Sequence, residues 1–392
     1  MVRNIGKCAK IAFLTTYPPR ECGIATFSQD LVRALKKINS GFNINVIAIN
    51  DNHYDYQEEV FYEINQHSRG DYIQLARKLN DSDVDILVIE HEYGIFGGNC
   101  GEYLLDLLEN IKIPVITCLH TVLSNPFFEK QKEILMAIGK KSAKVVTMAH
   151  NTVELLTTIY GIDRSKIEVI HHGVPYKDVV PREKLKEKYG YSGRPVISTF
   201  GLISPGKGLE YGIQAIQKVA QKYNDVLYLI LGQTHPNIKR EYGESYREKL
   251  IELVKSLGLE NNVKFVNRYL TKDEIIEYLQ LSDIYMTPYL GKEQAVSGTL
   301  AYAVGYGRVV VSTPYKYAEE MLADGRGMLA DFMNPDSLAK CILYVLDNPE
   351  EKKKMEEKTL NFGKNMTWEN VAKRYIDLFA AIINSSKKVG VA

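Results

Sequence analysis

The sequence predicts an α/β fold built from two Rossmann-like domains, and three observations carry that expectation. The chain has 392 residues, more than one ordinary core accommodates and enough for two domains of common size. Short β-branched runs alternate with longer segments of helical period, the mark of βαβ units and parallel sheets. That alternation fills the first half, breaks at a charged, proline-containing stretch, and begins again near Pro195.

Candidate strands of the first half are Lys10–Thr15, Ile44–Ile49, Asp85–Ile89, Val115–Leu119, Lys144–Met148 and Ile167–Ile170. Between them, Ile24, Phe27, Leu31, Leu35 and Ile38 share one helical face, as do Tyr103, Leu104, Leu107, Leu108 and Ile111. The second half repeats the pattern with strands Val196–Phe200, Val226–Leu231, Val263–Val266, Ile284–Thr287 and Val309–Ser312. Its first helix carries Leu209, Ile213, Ile216 and Val219 on one side. Pro175 to Pro195 reads as the connection between domains, and Lys352 to Lys358 as the solvated face of a helix. A last helix from Trp368 aligns Val371, Tyr375, Leu378, Phe379 and Ile382 in one stripe. The expected division is therefore 1–175, joined by the C-terminal helix 368–385, and 176–367.

Composition narrows the function. Apolar residues make up 45% and charged residues 25%, the balance of a folded globular protein. A net charge of +1 argues against a nucleic-acid partner. The mildly acidic first half argues against a face docked on anionic lipid. No apolar run approaches the ~20 residues that span a bilayer, and no signal peptide is expected after Met1. Five cysteines, at 8, 22, 100, 118 and 341, form no CxxC pair, which points to the cytoplasm and away from disulfide or zinc frameworks.

Doubly wound sheets bind ligands at the carboxyl ends of their strands, where loops enter helices. Three such junctions stand out. After the first strand comes Tyr17-Pro18-Pro19-Arg20-Glu21-Cys22-Gly23, a glycine before a helix that lets backbone amides approach a phosphate or sugar. After Phe200 comes Gly201-Leu202-Ile203-Ser204-Pro205-Gly206-Lys207-Gly208. A lysine at a helix start opposes the dipole, so Lys207 is better placed to hold phosphate oxygens than to stabilise a helix. After Thr287 comes Glu293 to Leu300, where Ser297, Gly298 and Thr299 offer amides and hydroxyls to an anion and Glu293 suits sugar hydroxyls. His120, ending a strand, is a further ligand candidate. Glu90-His91-Glu92-Tyr93-Gly94 ends another strand; adjacent residues there face opposite ways, so they suit polar sugar contacts better than a metal.

At these residues the chain resembles a glycosyltransferase of the GT-B fold, two Rossmann-like domains facing a central cleft, and in particular retaining glycosyltransferase family 4 (group 1). The resemblance extends from Gly23 through His120-Thr121, His172 to Pro175, Pro205 to Gly208, Phe265 to Ser282 and Asp283 to Pro288. It ends at the helix of Trp368-Glu369, which in such folds crosses back onto the first domain. It implies that Lys207 binds a donor diphosphate, that His120 positions the donor sugar and that Glu293 holds its hydroxyls. Gly23, Gly206, Arg268, Ser297, Gly298 and Thr299 fall on the donor side, and Arg20, Glu92 and Tyr93 on the acceptor side. The family's usual arginine after the strand-ending glycine is Leu202 here, and its second glutamate is Ala301. Arg268 or Arg20 is a candidate for the missing charge.

The expected activity is transfer of a hexose, glucose or mannose, from a nucleotide diphosphate sugar to a sugar or small polyol. The resemblance implies no metal, no enzyme nucleophile and no cofactor. Loss of two groups on the nucleotide side also permits a phosphorylase that uses inorganic phosphate and sugar 1-phosphate. A catalytically silent sugar-binding partner is the reading from another class.

Overall fold

The computed structural model describes residues 9–38, 41–56 and 58–389. Two compact units divide the chain: one holds the residues up to Pro175 together with those from Thr367 onward, the other Tyr176–Met366. Thr367, expected in the second domain, thus lies in the first unit.

In the first unit the order is β1 (Ala9–Thr15), α1 (Gly23–Lys37), β2 (Phe42–Asn50), β3 (Val60–Asn65), α2 (Arg69–Asn80), β4 (Ile86–His91) and α3 (Tyr103–Asn110). It continues with β5 (Val115–Leu119), α4 (Glu129–Lys141), β6 (Lys144–Thr147), α5 (Asn151–Thr158) and β7 (Ile167–Val169). All pairings are parallel, in the order β3-β2-β1-β4-β5-β6-β7. β1 is covered on both faces, so Ile11 to Leu14 read as an unbroken apolar run and are fully buried. The sheet grows from β1 toward β2 and then, on the other side, toward β4. That reversal opens a crevice at the carboxyl ends of β1 and β4.

In the second unit α6 (Arg182–Tyr189), β8 (Val196–Phe200), α7 (Leu209–Ala220), β9 (Leu227–Leu231), α8 (Pro236–Tyr242), α9 (Ser245–Ser256) and β10 (Val263–Val266) come first. Then follow α10 (Lys272–Leu281), β11 (Ile284–Thr287), α11 (Gly298–Gly305), β12 (Val309–Ser312), α12 (Lys316–Met321), β13 (Gly327–Leu329), α13 (Pro335–Asp347) and α14 (Pro349–Gly363). The parallel sheet runs β10-β9-β8-β11-β12-β13, reversing between β8 and β11. Ile213 and Ile216 of α7, Tyr228, Ile284, Val309 and Ile342 meet in one buried core.

The chain returns to the first unit as α15 (Trp368–Val389), longer than the expected 368–385. Its buried stripe packs Phe379 edge-on to Phe13 and Phe42, with ring centroids 6.4 and 5.6 Å away. The Tyr375 hydroxyl donates to Cys118 Sγ at 3.3 Å, and Trp368 lies edge-on to Phe27 at 5.1 Å.

Two strands were not foreseen. β3 is an edge strand with most of its residues partly or fully exposed, so it lacks a run of apolar residues, and β13 is only three residues long. The stretch Pro175–Pro195 is not a bare connection, because it contains α6. Lys352 is not on a solvated face. Its Nζ donates to Asp283 Oδ1 at 2.6 Å, while Asp283 Oδ2 accepts from Lys186 Nζ at 2.9 Å and from the Val196 amide at 2.8 Å. Arg182 stands beside this carboxylate, with its Nη1 at 3.7 Å. Among the described residues, no helix is long and apolar enough to cross a membrane.

Candidate active site

In the second unit, the chain leaves β8 at Gly201 and tightens into a short 3₁₀ turn, Pro205–Lys207. Gly208 then takes a left-handed conformation (φ 57°) before α7 begins. A Cβ on Gly208 would stand 2.2 Å from the Pro288 carbonyl oxygen, so both backbone conformation and space demand glycine there. The Leu290 amide donates to the Gly206 carbonyl at 3.0 Å, tying this turn to the loop after β11. Lys207 Nζ lies 3.8 Å from the centroid of the buried Tyr289 ring and 3.9 Å from where a Cβ on Gly201 would be.

The N-terminus of α11 meets the same spot. Ser297 caps it, its Oγ accepting from the Leu300 amide at 3.3 Å. Thr299 Oγ1 is bonded to the Tyr289 hydroxyl at 2.9 Å and to Ser297 Oγ at 3.2 Å. Thr299 Cγ2 is 3.3 Å from the Cβ position of Gly201. Lys207, over the ring face, and Gly201, Ser297, Gly298 and Thr299 are thus gathered around Tyr289. An ammonium and a helix N-terminus aimed at one place form a fixed positive field, suited to charge developing on an oxygen. His235 borders it: burial, and then the charge of Lys207, hold its pKa below the usual value.

Other positions of this unit are arranged differently. Glu293 is exposed on a turn before α11. Arg268 donates from Nη1 to Glu274 Oε2 at 3.0 Å, and Glu274 also caps α10 together with Thr271. The bond from Arg268 is the main reason that the Glu274 carboxyl falls to about 2. Ala301 is fully buried; its neighbour Tyr302 is the residue that meets Phe200, at the end of β8, with centroids 6.2 Å apart.

In the first unit, the carboxyl ends of β4 and β5 carry two matched pairs. His120 Nε2 donates to Glu90 Oε2 at 2.8 Å, and Thr121 Oγ1 donates to Glu92. Alternation along the strand sends His91 the other way, where its ring stacks on Phe96 at 5.8 Å and burial, with some help from His120, lowers its pKa to about 3. His91 is therefore neutral. Phe27 of α1 packs edge-on against both His120, at 4.7 Å, and His172, at 5.0 Å.

Gly23 opens α1, with Cys22 as its cap, and a Cβ there would meet open space. Arg20 donates to the Ile49 carbonyl and to Gln66 Oε1, each at 3.0 Å, and pairs with Asp51 at 3.3 Å. Tyr93 is mostly buried, and its hydroxyl donates to the Gln131 carbonyl at 3.2 Å. The donor atoms of Glu90, Cys118 and His120 lie within 4.8 Å of one another, but Glu90 already engages His120, and Tyr375 engages Cys118.

Sequence reasoning singled out the segment of Glu90 for polar sugar contacts but missed its bond to His120, and it missed Tyr289. The signal for the first was present: glutamates two apart ending one strand, and a His-Thr pair ending the next. Tyr289 carried none, since only the fold brings its ring beneath Lys207.

Comparison with known proteins places this architecture. The family described as "Glycosyl transferases group 1" matches residues 181–362, and "Glycosyltransferase Family 4" matches residues 22–177. The chain belongs to the group 1, family 4-like glycosyltransferases and has their GT-B fold. It is 25% identical over 261 residues to an uncharacterized glycosyltransferase of Methanocaldococcus jannaschii, a match covering 64% of this chain and 62% of that protein. It is 21% identical over 255 residues to spore coat protein SA of Bacillus subtilis, covering 60% and 64%. These matches span a little under two thirds of the relatives' lengths. Among solved structures, a glycosyltransferase from Rickettsia africae superimposes with a TM-score of 0.76 at 20% identity, covering 96% of this chain and 99% of that one. HepE of Anabaena, in complex with UDP and glucose, gives 0.75 at 16% identity, covering 95% and 100%.

Proposed function

We propose that this chain is a cytoplasmic, metal-independent retaining glycosyltransferase that moves glucose or mannose from a nucleotide diphosphate sugar to a sugar or small polyol. The observation that carries the reading is the placement of Lys207 Nζ beside the N-terminus of α11 and the hydroxyls of Ser297 and Thr299. In such a transfer the bond from the anomeric carbon to the diphosphate oxygen breaks, leaving its electron pair on that oxygen. The acceptor hydroxyl bonds to the same face of the carbon, and its proton passes to the leaving phosphate. Lys207 and the amides at 297–299 hold the charge that appears on the diphosphate. His120, oriented by Glu90, and Glu293 serve the sugar hydroxyls, and Arg20 and Glu92 serve the acceptor. The UDP and UDP-glucose complexes of Anabaena HepE support uridine diphosphate as a carrier to try first.

A second reading, phosphorolysis of a glycoside, is favoured by one observation. Leu202 offers no charge, and the buried Ala301 offers no carboxylate to a ribose. A screen of nucleotide sugars beside sugar 1-phosphates, scored for hydrolysis and transfer, tests both. Turnover of a nucleotide sugar supports the first reading, turnover of a sugar 1-phosphate alone the second, and turnover of neither class sinks both.

A further inference from the structure

Lys207 poses an electrostatic problem. The N-terminus of a helix carries about half a positive charge, so α11 attracts an anion and repels an ammonium. Lys207 Nζ nevertheless stands 3.9 Å from the Cβ position of Gly201, which Thr299 Cγ2, in the first turn of α11, approaches to 3.3 Å. Among the described residues, no carboxylate or carbonyl oxygen is bonded to this ammonium. Its one described contact is the face of the Tyr289 ring, whose centroid is 3.8 Å from Nζ.

The backbone imposes that contact. Residues 206–208 and 288–290 cross in opposite directions and meet at both ends. At one end the Leu290 amide donates to the Gly206 carbonyl at 3.0 Å. At the other, a Cβ on Gly208 would be 2.2 Å from the Pro288 carbonyl oxygen. Lys207 and Tyr289 are the two middle residues, so the crossing sets one side chain over the other. The ring itself is fixed. It is buried, it lies 5.5 Å from the Tyr315 ring with the planes 15° apart, and its hydroxyl is bonded to Thr299 Oγ1 at 2.9 Å. Thr313 Oγ1 donates to the Tyr289 carbonyl at 2.5 Å and pins the backbone as well.

An aromatic face carries the negative part of the ring's quadrupole and attracts a cation without using a hydrogen bond. A carboxylate in the same place would also hold the lysine, but it would repel a diphosphate and compete for the ammonium's protons. The ring face carries no net charge and takes none of those protons. The N–H donors of Lys207 therefore stay available to phosphate oxygens while the face offsets the repulsion from α11.

We propose that Tyr289 is a positioning residue for Lys207, its ring face holding the ammonium beside the N-terminus of α11 so that the lysine is in place before a diphosphate arrives. This rests on the reading of the Lys207 turn as a diphosphate site. The ring's contribution falls on donor binding rather than on bond breaking, because a bound diphosphate itself holds the lysine.

Replacing Tyr289 by phenylalanine, and by phenylalanines of rising ring fluorination, tests it, since fluorine drains the negative charge of the face with little change of shape. UDP, and separately inorganic phosphate, is titrated calorimetrically into each form, into wild type and into Lys207→Ala. Donor KM and kcat are measured beside it. Tyr289→Phe should bind the probe within about twofold of wild type. The most fluorinated form should bind about 2- to 5-fold more weakly than Tyr289→Phe, the scale of one cation–π contact, with KM rising in step and kcat little changed. Fluorinated tyrosines at 289, which keep the hydroxyl bonded to Thr299, carry the same comparison if the phenylalanine form does not fold. Affinity that does not fall with fluorination overturns the inference, as does a fall confined to kcat. If Lys207→Ala loses binding while the fluorinated series stays flat, the diphosphate reading stands and only Tyr289's role fails. If wild type binds neither probe, both fail.

Discussion

His120, at the end of β5, is held by Glu90, at the end of the neighbouring β4: Nε2 donates to a carboxylate oxygen 2.8 Å away, and the carboxylate is fully buried. The bond fixes the ring about its axis and leaves Nδ1 as the nitrogen that can address a ligand. Glu90→Ala should therefore lower kcat/KM by about 10- to 100-fold, the value of one hydrogen bond to a charged group. Glu90→Gln, which keeps an acceptor of the same shape, should lose less. Initial rates on whichever donor turns over would show it, and a folded Glu90→Ala variant as fast as wild type would mean that His120 needs no such orientation.

Lys207→Ala should lower kcat/KM by about two to three orders of magnitude, the usual effect of removing one preorganised charge-stabilising donor. The ammonium's one described contact is with the Tyr289 ring, a cation–π contact worth about 0.5–1 kcal/mol, so the melting temperature should change little. Near wild-type kinetics in the alanine variant would remove Lys207 from leaving-group stabilisation.

The acid limb of stability should depend on Asp283. Burial pushes its pKa up, but the charges of Lys352, Arg182 and Lys186 outweigh burial and bring it down to about 2. A folded-state pKa below the unfolded value of about 3.9 contributes stability above that value, lost as the pH falls from about 4 to about 2. The contribution at neutral pH is on the order of 2–3 kcal/mol. Asp283→Asn should flatten the decline over that window, and at pH 7 it should destabilise the chain by about 3–5 kcal/mol, because it strands buried cations. Urea melts at a series of pH values would reveal both effects, and an unchanged acid limb would contradict the first.

Activity should persist in excess EDTA. Glu90, Cys118 and His120 come close enough to invite a metal, but the carboxylate is engaged by the imidazole and the thiol by Tyr375. Inactivation by chelator, reversed by one divalent ion, would assign this trio a metal.

Which parts were legible in the sequence follows from what each residue packs against. β1, β5, β8 and β11 are buried on both faces, so they hold no charged residue beyond Lys10 and their largely apolar runs identify them. β3 sits at a sheet edge with its polar residues outward and resembles a loop. The glycine-flanked Lys207 announced itself because its local chemistry is awkward for a helix start. Lys352 did not. It lies in a helical stretch rich in charge, and only its partner far along the chain, Asp283, shows it to be buried.

The first unit is made from both ends of the sequence, and this sets an order of manufacture. As the chain leaves the ribosome, Tyr176–Met366 emerges as one continuous piece with its own core, able to close upon itself. The earlier residues must wait: Phe13 and Phe42 lack Phe379, Cys118 lacks Tyr375, and Phe27 lacks Trp368 until the final helix appears. The part made first is the part finished last, so a product cut short after Met366 would keep its second half intact and leave His120 in an unfinished shell.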